Sequence, residues 1–230
     1  MRIRRSKVVL ILLVISTSGY SQSKWSLTFK GYASLSWFGI NTQSSYYNDR
    51  WESVNLSYKP NFGYGAGIGL EYRLSNRLNI YTDIRYNQWG GHVYAIRDNP
   101  NFYFDLEIMY KSFNIPIGFK YLYKQKTKWN LYMIGGIGFD NSFKLAFIPK
   151  NQYGSVPVIE ENVTIQTNYL LLGTGGEFKI NGKLIGTIGI EVNNDALLNP
   201  KRIQDFGGLF GQDVIPLSYT MISLHFGIKV

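Results

Sequence analysis

Ser223 and His225 stand two residues apart near the end of the chain, so on a β-strand both side chains project from one face. A serine beside an imidazole, with a carboxylate to orient the ring, is the chemistry of acyl transfer. Glu191 supplies that carboxylate if its strand neighbours the one carrying Ser223. The set becomes catalytic only where the three groups converge at a rim that substrate can reach, because strand spacing places Ser223 beside His225 on any polar face. The other histidine, His92, lies far upstream, and no short His, Asp or Glu spacing marks a metal site. With no cysteine there are also no thiolate ligands and no disulfides. No metal and no cofactor is expected. "GTGGEF" (173–178) and "GGIGF" (135–139) lack the Lys-Ser/Thr that follows a phosphate loop and do not open a helix.

The elements that must position these groups are strands. Of the 230 residues, 18 are Tyr, 14 Phe and 24 Gly, a composition that leans toward sheets and close backbone approach. Alternation of period two recurs along the chain, and it predicts eight strands near residues 24–39, 62–74, 78–89, 106–122, 129–143, 166–180, 184–194 and 217–229. Three connections are short, at 75–77, 124–128 and 181–183, the last containing an Asn-Gly turn. Four are long, at about 40–61, 90–105, 144–165 and 195–216. Strict alternation of short and long makes the two ends of one up-and-down sheet different. That is the plan of an outer-membrane barrel with short periplasmic turns and long extracellular loops. The fold class read from the sequence is therefore all-β: an eight-stranded antiparallel up-and-down transmembrane β-barrel.

The faces of the strands carry the next step. In "GYGAGIGLEYRL" (63–74) glycine and then charge occupy the odd positions, while Tyr64, Ala66, Ile68, Leu70, Tyr72 and Leu74 occupy the even ones. An eight-stranded barrel has an interior just wide enough for side chains to fill, so glycine on the inward face leaves room for large inward neighbours. The charges on the inward parity are Lys30, Arg73, Arg85, Lys120, Lys179 and Lys229 against Glu71, Asp83, Asp140, Glu177 and Glu191. Near-cancellation suits a low-dielectric interior, where an unpaired ion costs several kcal/mol. These residues predict a plugged, salt-bridged lumen. In the fourth strand Leu106, Ile108 and Tyr110 read as a change of parity near 110–112, and hence as a bulge or the exit from the membrane. Rings gather toward both strand ends as interfacial girdles: Trp25, Tyr72, Tyr121, Tyr123 and Trp129 at the short turns, and Trp37, Phe38, Tyr64, Tyr86, Trp89, Phe139 and Phe143 at the long loops.

Residues 1–21 have the layout of a cleaved secretory signal: Arg2, Arg4, Arg5 and Lys7, then the apolar run Val8–Ile15, then a small-residue exit ending at Ser21. Residues 22–230 form the barrel domain. Without that segment the formal charge falls from +9 to +5, scattered rather than clustered, and no nucleic-acid partner is expected.

"GAGIGLEYRLSNRLNIYTDIRYNQWG" (65–90) followed by "YKSFNIPIGFKYLY" (110–123) resembles the PorT-like outer-membrane β-barrel proteins, with a Gly-rich strand, a tight turn, a second strand and an Ile-Pro strand in succession. The resemblance implies an integral outer-membrane protein of a Gram-negative-type bacterium, and one branch of that family takes part in protein secretion. Pro116, facing the lumen and lacking an N–H for the ladder, is expected at a bulge or a weakened ladder position. The partners expected are outer-membrane lipid and an extracellular protein or glycan met by the long loops, with the chain a monomer. The expected role is non-catalytic: structural, adhesive, or accessory to transport or secretion. Two alternatives remain at this point, an outer-membrane lipid-modifying hydrolase built on Ser223, His225 and Glu191, and a soluble periplasmic lipocalin-like barrel with its apolar face inward.

Overall fold

Alternating residues become a wall once every strand finds a neighbour on each side, and here the wall closes. The computed structural model describes residues 24–40, 54–97, 103–149, 159–181, 184–195, 204–205, 214–215 and 217–230; the expected signal segment lies outside these, as does most of the long loops. In chain order the strands are β1 (Trp25–Ile40), β2 (Val54–Arg73), β3 (Leu78–Arg97), β4 (Tyr103–Gln125), β5 (Trp129–Pro149), β6 (Ile159–Lys179), β7 (Ile185–Asn194), the short pair β8 (Gln204–Asp205) and β9 (Val214–Ile215), and β10 (Leu217–Lys229). Eight of them form a closed ring in the order β1-β10-β7-β6-β5-β4-β3-β2, every pairing antiparallel. β8 pairs only with β9. The protein is an all-β, eight-stranded, up-and-down barrel.

Four strands run well beyond the limits read from alternation. β2 begins at Val54, β3 continues to Arg97, β5 to Pro149, and β6 begins at Ile159. All the extra length lies on the long-loop side, where it takes up residues assigned to loops from sequence, His92 among them. Among the described side chains, Lys59, Lys144 and Glu160 stand on the outward parity of these extensions and interrupt the apolar alternation that marks a half-buried strand. On the β7–β10–β1 side the wall is lower, because β7 has only 10 residues.

The faces sort by burial. Outward positions expose Phe29, Ile68, Ile84, Phe113, Ile117, Phe119, Ile137, Leu172, Ile190 and Phe226, among many others. On β4 this apolar stretch runs from Phe113 to Tyr121, about the 9–11 residues a tilted strand needs to cross hydrocarbon. Inward positions bury Glu71, Asp83, Arg85, Lys120, Asp140, Glu177, Glu191 and Lys229. A lipocalin-like barrel needs the opposite arrangement.

Pairing shifts register at Pro60/Tyr64 of β2, at Leu122/Lys124 of β4 and at Ser142/Lys144 of β5. β4 keeps one inward parity from Ile108 through Lys120, with no break at 110–112; the inward residues merely change from apolar to polar there. The bulge lies on the partner strand, between Ser142 and Lys144 of β5, where pairing with both β4 and β6 shifts and Leu145 turns inward. Opposite Pro116 the β3–β4 ladder lapses between Thr82–Ile117 and Arg85–Asn114 without any change in register, as an absent N–H requires.

Candidate functional site

The barrel interior is built in layers, and each glycine of β2 marks where a long side chain crosses it. Gly65, Gly67 and Gly69 stand opposite Asn87, Arg85 and Asp83 of β3. A Cβ on Gly67 would lie 2.9 Å from the Ile84 carbonyl and 3.1 Å from Arg85 Cγ. The bare face of the Gly-rich strand is thus the space that the acidic and basic side chains of β3 occupy.

Nearest the short turns is a closed ring of four ions. Lys120 Nζ donates to Glu71 at 2.8 Å and to Glu177 at 2.5 Å, and Lys229 Nζ donates to Glu71 at 2.7 Å and to Glu177 at 3.0 Å. Each cation bridges both carboxylates, so the layer is neutral and every member is doubly satisfied. Above it runs a chain of ions. Lys30 Nζ donates to Asp83 at 2.9 Å, and Arg85 donates to Asp83 at 2.5 Å and to Glu191 at 2.6 Å. The Arg85 guanidinium also packs 4.7 Å from the Tyr32 ring centroid. A small cavity lined by Lys30, Glu71, Tyr81, Lys120, Glu191 and His225, among others, lies between the two ionic layers.

Toward the long loops the filling becomes apolar. Trp89 stacks on Tyr110 at 4.6 Å and meets Tyr219 at 4.4 Å, while Phe38 packs against both Trp89 and Tyr110. Ile108, Leu145, Leu171 and Met221 belong to the same buried apolar cluster. Asp140 sits just below it and accepts from Ser112 at 2.9 Å, Ser142 at 3.0 Å and Asn114 at 3.4 Å. Tyr169 Oη donates to Asn114 in the same layer.

Several expected positions are corrected by this geometry. Phe38 and Trp89 are each only 2% exposed and plug the lumen instead of joining the outer girdle. Their parity, shared with Lys30 and Arg85, was the available signal; aromatic clustering at strand ends obscured it. Arg73 and Lys179 lie on the inward parity but are exposed, because each is the last residue of its strand and the lumen there opens to solvent. The other nine expected lumen charges, Lys30, Glu71, Asp83, Arg85, Lys120, Asp140, Glu177, Glu191 and Lys229, all lie inside.

Glu191 does lie opposite Ser223 in the β7–β10 register, and His225 follows on the same face. The three side chains are at most 2% exposed. His225 Nδ1 is 3.2 Å from Glu191 Oε1, an electrostatic approach without aligned hydrogen-bond geometry, while Nε2 meets Tyr132 Oη at 2.9 Å. The nitrogen that would take a proton from Ser223 therefore faces a phenol, and Glu191 is held by Arg85. His92 is on β3, with Nδ1 3.7 Å from Asp105 Oδ1. Among the described residues no group of three His, Asp or Glu side chains is arranged to hold a metal ion.

No family model matches the sequence, and no curated protein matches it. Solved structures do resemble it. Neisserial surface protein A is 12% identical over 90% of this chain and 97% of its own, with a TM-score of 0.46. The attachment invasion locus protein Ail of Yersinia pestis is 14% identical over 91% of this chain and 100% of its own, with a TM-score of 0.44. The outer membrane protein OprG of Pseudomonas aeruginosa is 8% identical over 90% of this chain and 96% of its own, with a TM-score of 0.50. What is shared is the fold. At this identity the likeness to OprG concerns the course of the strands and carries no residue roles.

Proposed function

We propose that the chain is an integral outer-membrane β-barrel of the PorT-like kind, closed to solute and non-catalytic, with a structural, adhesive or secretion-accessory role exercised through its long loops. The observation that carries this reading is the inversion of faces. Large apolar side chains cover the outside of a closed ring of strands, while four lysine and arginine side chains and their carboxylate partners fill the inside. Only a solvent that offers no hydrogen bonds favours that arrangement, and closure leaves no strand edge unpaired at its depth. Exposed rings at both ends of the belt, Trp25, Tyr121 and Trp129 on one side and Tyr64, Phe113 and Phe143 on the other, suit the two interfaces of a bilayer.

The non-catalytic part rests on the burial of Ser223, His225 and Glu191 and on the engagement of His225 Nε2 by Tyr132. The PorT-like part rests on the succession of β2, its tight turn, β3 and the Pro116 strand. Refolding the chain in detergent micelles and, separately, in detergent-free buffer tests the whole proposal through gel mobility before and after boiling. A compact band that shifts on heating, formed only with detergent, is the expected result; a monomer that folds without detergent refutes the membrane reading.

A further inference from the structure

The rim at the short turns carries positive charge and, among the described residues, no acidic side chain that faces solvent. Lys24 leads into β1, Arg73 ends β2, and Arg77 lies in the turn to β3. Lys124, Lys126 and Lys128 bracket the turn between β4 and β5, and Lys179 ends β6. Every one of these is exposed. The acidic residues nearest this rim, Glu71 and Glu177, point into the lumen and are neutralised there by Lys120 and Lys229. The opposite end is mixed, with Lys59, Lys111 and Lys144 interspersed among Asp105, Glu107, Glu160 and Glu161. The asymmetry therefore belongs to one end of the barrel and not to the chain as a whole.

Two contacts set the depth of Lys24 and Lys124. Lys24 Nζ lies 5.9 Å from the Tyr72 ring centroid, and Lys124 Nζ lies 5.4 Å from that of Trp129. Tyr72 and Trp129 belong to the aromatic band at the edge of the apolar belt, so the ammonium groups sit beside the ring plane of the interface instead of reaching away from it. At that level the groups within reach are lipid phosphates. Arg73 and Arg77 add guanidinium forks, whose planar donors match a phosphate better than an ammonium does.

We propose that this rim binds the phosphates of anionic phospholipid head groups in the leaflet surrounding the short turns. The inference rests on the membrane reading above and adds a lipid class and a leaflet to it. A soluble acidic protein fits less well, since the ring contacts hold Lys24 and Lys124 against the lipid-facing band.

The test uses the full chain reconstituted in phosphatidylcholine vesicles that contain a fixed fraction of brominated phosphatidylglycerol or of brominated phosphatidylcholine. Trp25 and Trp129 at the rim report contact with brominated lipid through quenching of their fluorescence. The expected result is quenching several-fold stronger with the phosphatidylglycerol. That preference should fall clearly in K124Q/K126Q/K128Q and approach unity in about 0.5 M salt, where exposed charges are screened within a few ångström. Equal quenching by the two lipids, or a preference untouched by the triple substitution, overturns the proposal. So does lipid indifference combined with salt-sensitive capture of an acidic soluble protein, which would give the rim a protein partner. Heat-shifted gel mobility of the same samples separates the two levels of failure. Absence of a shifted band in any vesicle refutes the membrane reading, whereas a folded barrel without lipid preference refutes the rim alone.

Discussion

Arg85 shows what a single side chain does in this interior. It is fully buried and, among the described residues, it is the cation that touches both Asp83 and Glu191, so its removal takes the hydrogen-bonding cation from Glu191 and leaves Asp83 with Lys30 alone. Arg85→Met should cost about 3–5 kcal/mol, the usual scale for leaving a buried charge uncompensated, measured by urea unfolding of the micelle-folded barrel. Ser223→Ala in the same assay should cost about 1 kcal/mol or less, because no ion depends on that hydroxyl. A comparable loss for the two variants would mean that Arg85 is not the hub of its layer. Space is specified as closely as charge. A Cβ on Gly189 would stand 2.6 Å from His225 Cε1 and 2.8 Å from Nε2. Gly189→Ala should therefore destabilise by about 1–3 kcal/mol through overpacking. Adding His225→Ala should return part of that loss, and a double-mutant cycle isolates the coupling. Additive effects would place the strain in the backbone instead.

At the scale of the strand, period two was enough to sort most residues into inward and outward sets, since one face meets charge and the other apolar surface. It failed where the inward face itself became apolar. On β4, Ile108 and Tyr110 look like outward residues by chemistry, yet they share the parity of Ser112 and Lys120 and lie inside. Phe38 and Trp89 are inward rings of the same kind, whereas the ends of β2, β5 and β6 escape the pattern for another reason, the polar or charged Lys59, Lys144 and Glu160 that stand outward past the belt. The bulge near Phe143 left no compositional mark at all, because a bulge is a property of a pairing and the partner strands are not given by one strand's residues. The candidate triad was legible to the same extent: period two put Ser223 and His225 on one face, but only the packing across the lumen shows Tyr132 taking Nε2. Trp89→Ala tests the inward assignment directly. As the centre of a buried stack with Phe38, Tyr110 and Tyr219, its truncation should cost about 3–5 kcal/mol in urea unfolding. Trp37→Ala, on the outward parity of the same end, should cost clearly less. The reverse order would return Trp89 to the girdle.

For the whole molecule these layers predict closure. A solute moving along the axis meets the aromatic cluster first, then the Lys30–Asp83–Arg85–Glu191 chain, then the four-ion ring, and each layer spans the lumen with side chains from several strands. Parting the ring into two Lys–Glu pairs requires breaking two contacts at once, because each lysine holds both glutamates. Beyond the small cavity between the ionic layers, eight strands leave little interior volume into which those side chains could retreat. The folded chain inserted in a planar bilayer should consequently show no stepwise conductance in single-channel recording. Trp89→Ala should also stay silent, since removal of the aromatic layer leaves both ionic layers in place. Steady, reproducible current steps from the unsubstituted protein would mean that the layers part and rejoin in the bilayer. The ion contacts would then be alternatives exchanged during opening, and the lumen a gated path in place of a filled core.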